Sequence, residues 1–167
     1  DDPVIDSCGR FDRISVSKDE VQTELAEFAD FVRRFGGMAG VHSCSDMDWS
    51  ILFGADLDII SFDTYQFSAS FGLYPGLIQE FMKNGGVVAW GLVPTDGKAL
   101  AGESLELLKI KLCRYLKELV EKGVDPRLLY TNSLITPACG TGTLNEDEAK
   151  RIYQLTAELA RDWGSFF

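Results

Sequence analysis

Two side chains with soft metal-binding atoms stand two residues apart in Met38–Cys44, the stretch Met-Ala-Gly-Val-His-Ser-Cys. The apolar start of this stretch predicts a buried strand, and alternate residues of a strand project from the same face. We therefore expect His42 and Cys44 to lie side by side where the strand ends. An imidazole and a thiolate are both zinc ligands, so the pair predicts part of a metal site that other residues must complete.

Two further candidate ligands follow other predicted strands. Asp63 ends the strand predicted at Leu57–Asp63, and Cys139 lies in the loop after the strand predicted at Leu128–Ser133. The four candidates are separated by 2, 19 and 76 residues, unlike the short paired spacings of a zinc finger. This pattern favours a catalytic zinc site with one exchangeable position, assembled from several strands, in which Asp63 is the fourth ligand.

The same residues allow structural interpretations that the spacing leaves open. A histidine at the end of a strand can be a hydrogen-bonded core residue, and Asp63 could cap the turn that follows it. Cys139 could be a small apolar filler, and Cys8 a loop thiol without a role. The Gly140-Thr141-Gly142 segment could be an anion-binding nest or a plain turn before a helix.

The elements that must position these residues alternate between strands and helices. Ser17 and Glu20 predict a capping box at the start of the first helix, whose apolar stripe ends before Gly36-Gly37. Gly86–Val93 is a third, almost wholly apolar strand. Loops are predicted at 65–74 and 94–102. A long amphipathic helix is predicted from Leu105 onward, and Cys113, which lies beside its apolar stripe, is most simply a residue of the protein core. The last helix is predicted at about 146–163.

This alternation predicts an α/β fold with about four parallel strands and covering helices. Eight parallel strands make the closed barrel, so we expect one domain, residues 1–167, that forms the C-terminal half of a (β/α)₈ TIM barrel. The abrupt start at Asp1 resembles the loop after a strand that is not present, as in a fragment. An open doubly wound sheet is the structural alternative, although no glycine-rich dinucleotide motif follows any predicted strand.

Composition narrows the classes of partner. The 167 residues carry a net charge of −10, which argues against a nucleic-acid surface because phosphate binding needs clustered Lys and Arg. No apolar run reaches the roughly 18 residues of a membrane span. Four cysteines could form two disulfides, but a long, core-rich chain favours reduced thiols and a cytoplasmic location.

Three segments resemble one known family. His42-Ser43-Cys44, the segment 55–63 and Pro137-Ala138-Cys139-Gly140 are similar to the C-terminal catalytic domain of cobalamin-independent methionine synthase. More widely, they resemble the uroporphyrinogen decarboxylase/methionine synthase-like barrels. The resemblance runs over essentially the whole chain and covers about the second half of that barrel. The family has a glutamate where this chain has Asp63, whose side chain is one methylene shorter.

The resemblance implies a zinc-dependent methyltransferase. His42, Cys44, Asp63 and Cys139 would hold Zn²⁺, and Asp1 of the family-like Asp1-Asp2-Pro3 would contact the substrate amino group. The acceptor would be a small thiol such as homocysteine, and the donor a methylfolate or a methylcorrinoid. Trp49 and Trp90 are candidates for the pocket lining or, by the simpler interpretation, for the core. The resemblance also implies that the other barrel half, or a second copy, covers the sheet edges and that this part alone lacks full activity.

Two other classes of function remain open at this stage. One is a zinc-free, uroporphyrinogen-decarboxylase-like enzyme, which needs arginine clusters for the propionates of a tetrapyrrole; few arginines stand near the predicted strand ends. The other is a non-catalytic half-barrel that serves as a subunit or interaction domain through its exposed sheet edges.

Overall fold

A computed structural model describes residues 17–167, which form four strands and eight α-helices. The strands are β1 (Gly40–Ser43), β2 (Ile59–Phe62), β3 (Val87–Val93) and β4 (Ser133–Pro137). The helices are α1 (Lys18–Arg34), α2 (Ser50–Phe53), α3 (Thr64–Phe71), α4 (Pro75–Lys83), α5 (Gly97–Ala101), α6 (Leu105–Glu121), α7 (Pro126–Thr131) and α8 (Glu146–Arg161). A short 3₁₀ helix, Trp163–Phe166, follows.

The four strands form one all-parallel sheet in the order β1-β2-β3-β4. Each crossover moves to the next strand in the same direction, and right-handed crossovers of that kind place the helices on one face of the sheet. A doubly wound sheet instead reverses its strand order at a switch point. The predicted α/β class is confirmed, and the sequential order is that of half a (β/α)₈ barrel.

The face of the sheet that meets the helices is built from large aromatic side chains. Phe62 and Trp90 are paired in register on β2 and β3, and both are fully buried. Phe62 stacks on Phe71 of α3 with ring centroids 4.1 Å apart, while Trp90 meets Tyr115 of α6 at 5.7 Å. Trp49 packs edge-on against Phe62 at 5.2 Å. Both Trp49 and Trp90 are therefore core residues, as the simpler interpretation predicted.

The opposite face of the sheet carries smaller and more polar side chains. The register places His42, Ser61, Ala89 and Leu134 in one row across the four strands. This row alternates with the Phe62–Trp90 row, so it projects away from the helices that those aromatic residues contact. Leu134 in this row is 50% exposed. In a barrel this face lines the interior, and we call it the inner face.

Helix formation follows local signals where the sequence carries them. The capping box is confirmed, because Ser17 Oγ accepts from Glu20 N and Glu20 Oε2 accepts from Ser17 N at 2.7 Å. Helix α1 ends at Arg34 with Phe35 as its C-cap, and Gly36 adopts a positive φ of 77°. The predicted stripe is only partly buried, since Phe28 is 52% and Phe35 79% exposed.

Four local predictions were wrong. Residues 97–101, part of the predicted loop 94–102, form helix α5, because the Asp96 side chain caps them by accepting from Lys98 N and Ala99 N. Residues 65–71, predicted as a loop, belong to helix α3, because Asp63 caps that segment. Residues 128–131, predicted as a strand, form the end of α7, which begins with Asp125 at the N-cap and Pro126 at N1. Strand β4 therefore starts at Ser133, and Asn132 lies at its amino end. Cys113 is exposed on α6 rather than buried in the core.

No helix within residues 17–167 combines the length and the apolar character needed to cross a bilayer.

Candidate metal and thiol site

One cavity of about 480 Å³ lies at the carboxyl ends of the four strands. Three of the predicted ligands line it: Cys44, one residue beyond β1; Asp63, one residue beyond β2; and Cys139, two residues beyond β4. The remaining lining residues are Tyr65, Gln66, Pro94, Thr95, Asp96, Ala99 and Ala138. Every strand thus contributes its exit segment to one cavity, which is where parallel α/β folds place their binding sites.

Backbone contacts draw the exit segments together. Asp63 N donates to Ser43 O at 3.2 Å, and Ala138 N donates to Val93 O at 2.8 Å. Gly91 makes the approach possible, because a Cβ there would lie 2.4 Å from Phe62 O and 3.0 Å from Ala138 Cα. In a flat sheet the outer strands would be about 14 Å apart, three spacings of about 4.8 Å. A curved, barrel-like sheet brings the segments after both outer strands to one cavity.

Asp63 is a buried carboxylate, only 4% exposed, that also caps a helix. Its Oδ1 accepts from Gln66 N at 2.9 Å and its Oδ2 accepts from Gln66 Nε2 at 2.7 Å. Burial raises the pKa of Asp63, and the hydrogen bonds from Gln66 and the nearby His42 oppose that rise. The capping interpretation is therefore correct, and the side chain that caps α3 also reaches the cavity.

His42 lies one step deeper on the inner face and is not part of the cavity wall. Its Nδ1 is 2.8 Å from Ser61 Oγ, which belongs to the residue directly opposite on β2. Because Cys44 is two residues further along, its side chain leaves the strand on the same face as the imidazole. Nδ1 is thus engaged within the sheet.

A hydrogen-bonded ion pair fixes one wall of the cavity. Tyr65 donates its hydroxyl proton to Glu103 Oε1 at 2.7 Å, and Lys111 donates to the same carboxylate oxygen. Lys111 Nζ also lies 4.4 Å from the centre of the Tyr65 ring. The hydrogen bond to Glu103, which is 7% exposed, is the main cause of the raised pKa of Tyr65. The Tyr65 ring is thereby held at the border of the cavity.

The donor atoms at this cavity match a soft divalent ion in their chemistry. Two thiols and a carboxylate line the wall, and an imidazole lies on the same face, which is a set of zinc ligands. In residues 17–167, however, no three His, Cys, Asp or Glu side chains stand close enough together to hold a metal ion as placed. The residues therefore fit Zn²⁺ in donor type, and binding the ion would require their side chains to turn toward one another.

Several residues at this site were not singled out from the sequence, although signals for some exist. Ser61 stands two residues before Asp63, just as His42 stands two residues before Cys44. If Cys44 and Asp63 follow adjacent parallel strands, this equal spacing places Ser61 opposite His42. Asp63 followed three residues later by Gln66 resembles a helix-start pattern, which was hidden by the prediction of a loop. Asp96, the N-cap of α5, carries no signal that separates it from other capping residues.

The remaining predicted residues fall elsewhere. Asp1 and Cys8 lie outside the described residues. The Gly140–Gly142 segment leads into a turn, in which Leu144 N donates to Thr141 O at 3.1 Å. The Thr141 side chain bonds the Tyr153 hydroxyl of α8 at 2.8 Å, and this contact supports the interpretation as a turn before a helix.

Comparison with known proteins adds no assignment to this geometry. No protein-family model matches the chain, and no curated protein matches it significantly.

Proposed function

We propose that this chain is half of a zinc-dependent methyltransferase barrel that moves a methyl group from a methylfolate or a methylcorrinoid to a small thiol such as homocysteine. The observation that carries the proposal is the cavity that Cys44, Asp63 and Cys139 line together at the carboxyl ends of the strands. These residues come from the segments after three different strands, and their sulfur and carboxylate atoms together form a donor set that suits zinc.

Each residue has a stated part in this proposal. Cys44, Cys139 and His42 would hold the ion, with Asp63 at the exchangeable position. The bound ion would lower the pKa of an incoming thiol, so that the thiol would react as a thiolate. Desolvation of Asp63 suits its role, because a buried carboxylate is held in place by Gln66 and is costly to leave charged without a cation.

The transfer itself balances simply. The thiol loses its proton, a sulfur–carbon bond forms to the methyl carbon, and the bond from that carbon to the donor breaks. Its electron pair stays with the donor. On a folate the nitrogen takes up a proton and becomes an amine, which balances the proton lost by the thiol, whereas on a corrinoid the cobalt is reduced by two electrons and the thiol proton passes to solvent. Tyr65, held by Glu103 and Lys111, would form the wall along which the thiol enters.

The experiment is a methylation assay on the whole chain with zinc, homocysteine and a deuterated methyl donor of each type. We expect S-methyl product with at least one donor, and its loss in Cys139→Ser. Cys113→Ser is the matched control, because Cys113 is an exposed thiol on α6. Absence of product from both donors with zinc-loaded protein when the other half of the barrel is supplied, or equal product from Cys139→Ser, would contradict the proposal.

The tetrapyrrole alternative gains no support from this site. The wall formed by the described residues includes no Lys or Arg that could pair with propionate groups, whereas it carries Asp63 and Asp96. Cys113 and Cys139 are free thiols, which agrees with reduced cysteines, and from this we infer a cytoplasmic location.

One observation favours a second candidate function, which is association with another protein chain. Phe28, Phe31, Phe35 and Met38, in and just after α1, are 52–79% exposed. An apolar group of this kind is characteristic of a contact surface. Sedimentation velocity of the wild type and of Phe31→Ser/Phe35→Ser tests this: concentration-dependent assembly that the double substitution abolishes is expected, and a wild-type monomer at all concentrations would contradict it.

A further inference from the structure

We propose that Ser61 is a positioning residue, which accepts a hydrogen bond from His42 Nδ1–H and thereby leaves Nε2 as the ring nitrogen that binds the metal. The inference about Nε2 rests on the proposed function, whereas the hydrogen bond and the tautomer it selects do not.

The sheet itself builds this pair. His42 and Ser61 are register partners on the parallel strands β1 and β2, and their side chains project together from the inner face. His42 Nδ1 and Ser61 Oγ are 2.8 Å apart, and both side chains are half-buried. The χ2 torsion of a histidine is broad by itself, so the hydrogen bond to Ser61 is what restrains the imidazole plane.

The chemistry of the ring then decides which nitrogen can take a metal. A neutral imidazole has one protonated nitrogen and one nitrogen with a lone pair, and the hydrogen bond made by one sets the role of the other. With Nδ1–H donated to Ser61, the lone pair lies on Nε2. Metal-binding histidines usually donate their second ring nitrogen to a fixed acceptor in this way, and loss of that acceptor weakens metal binding by about 10–100-fold.

The position of Ser61 also links this pair to the cavity. Ser61 is two residues before Asp63 and His42 is two before Cys44, so the hydrogen-bonded pair lies directly before the two residues through which β1 and β2 reach the cavity.

Because His42 is the only histidine, its ring nitrogens can be read directly in a long-range ¹H–¹⁵N spectrum. In the metal-free chain at about pH 8, above the ordinary range for an imidazole, we expect the Nδ1–H tautomer. Ser61→Ala should move the ring toward Nε2–H, and Ser61→Thr, which keeps the hydroxyl, should restore Nδ1–H. Ser68→Ala on α3, which removes a serine hydroxyl away from His42, is the matched control.

The second readout is zinc affinity by competition with a chelating dye. Ser61→Ala should bind about tenfold more weakly, and Ser61→Thr and Ser68→Ala like the wild type. An Nε2–H tautomer in the metal-free wild type, or a spectrum that Ser61→Ala leaves unchanged, would overturn the role of Ser61. If the tautomer shifts as expected but the wild type binds no zinc, the positioning role stands and the proposed function fails. Zinc binding that Ser61→Ala leaves unchanged would overturn the link to the metal.

Discussion

The two ends of the same sheet carry polar clusters of opposite character. At the amino ends, Arg33 binds both Asp58 oxygens at 3.0–3.2 Å and Asp56 Oδ2 at 2.9 Å. Arg33 also holds the carbonyl of Asp56, whose φ of +50° is unusual for a residue other than glycine. Asp58 Oδ2 accepts in turn from Ala39 N at 2.7 Å. At the carboxyl ends, thiols and a buried carboxylate instead surround a cavity of about 480 Å³.

The difference is clearest in the two aspartates at opposite ends of β2. Hydrogen bonds from Arg33 are the main cause that lowers the pKa of Asp58, whereas burial raises the pKa of Asp63. One carboxylate is stabilised as an anion by its surroundings, and the other is not. The amino end therefore holds β1 and β2 in place through a stabilised carboxylate, whereas at the carboxyl end burial outweighs the hydrogen bonds from Gln66 and disfavours the charged form of Asp63.

The largest effect is expected where the exit segments converge. Gly91→Ala places a methyl group 2.4 Å from Phe62 O, a backbone atom that cannot move aside without shifting β2. We expect a loss of about 3 kcal/mol in the free energy of unfolding, measured by urea denaturation. Gly76→Ala in α4, where a Cβ meets nothing within 4 Å, is the control and should be neutral or slightly stabilising. Equal stability of the two variants would remove the argument that Gly91 lets the exits meet.

A smaller loss is expected at the amino end. Asp58→Asn removes the charge that Arg33 and Ala39 N contact, at a cost of about 1–2 kcal/mol because the pair is partly exposed. A lowered folded-state pKa means that this stability is present above the unfolded value of about 3.9 and is lost as pH falls through the folded value. The stability difference between wild type and variant should therefore shrink in acid. A difference that is independent of pH would contradict this origin.

The smallest effect, and one of opposite sign, is expected for Asp63→Asn. Asparagine also serves as an N-cap, so the bond to Gln66 N is kept. The raised pKa of Asp63 means that the folded state of the wild type loses stability as pH rises from about 3.9 through the folded value. The variant should therefore be the more stable protein at pH 7 without metal, with a difference that closes toward pH 3. Destabilisation at pH 7 would show that the anion is stabilised after all.

Much of this arrangement could be predicted from the sequence, for physical reasons that also explain the errors. Apolar strands such as Val87–Val93 follow from burial on both faces, and Asp63 and Cys139 follow from their places near strand ends. The start of β4 could not be read from Leu128–Ser133, because a short apolar run suits a strand or a helix equally. The choice was made by Asp125 and Pro126, which start a helix.

The distances between residues on different strands could not be predicted from the sequence either. The sequence places Cys44 and Cys139 after the outer strands, but only the curvature of the sheet decides whether both reach one cavity. The hydrogen bond between His42 and Ser61 depends likewise on the register of β1 and β2, which a sequence pattern alone does not specify.

The measurement that tests the central claim most directly is cobalt substitution of the whole chain, followed by absorption spectroscopy. Co²⁺ in a tetrahedral site with two thiolates should give intense sulfur-to-metal charge-transfer bands at one ion per chain. Cys44→Ser and Cys139→Ser should each weaken these bands, Cys113→Ser should not, and added homocysteine should strengthen them as its sulfur joins the site. A wild-type chain that binds no Co²⁺, or bands that survive in Cys139→Ser and vanish in Cys113→Ser, would contradict the claim that the carboxyl end is a metal and thiol site.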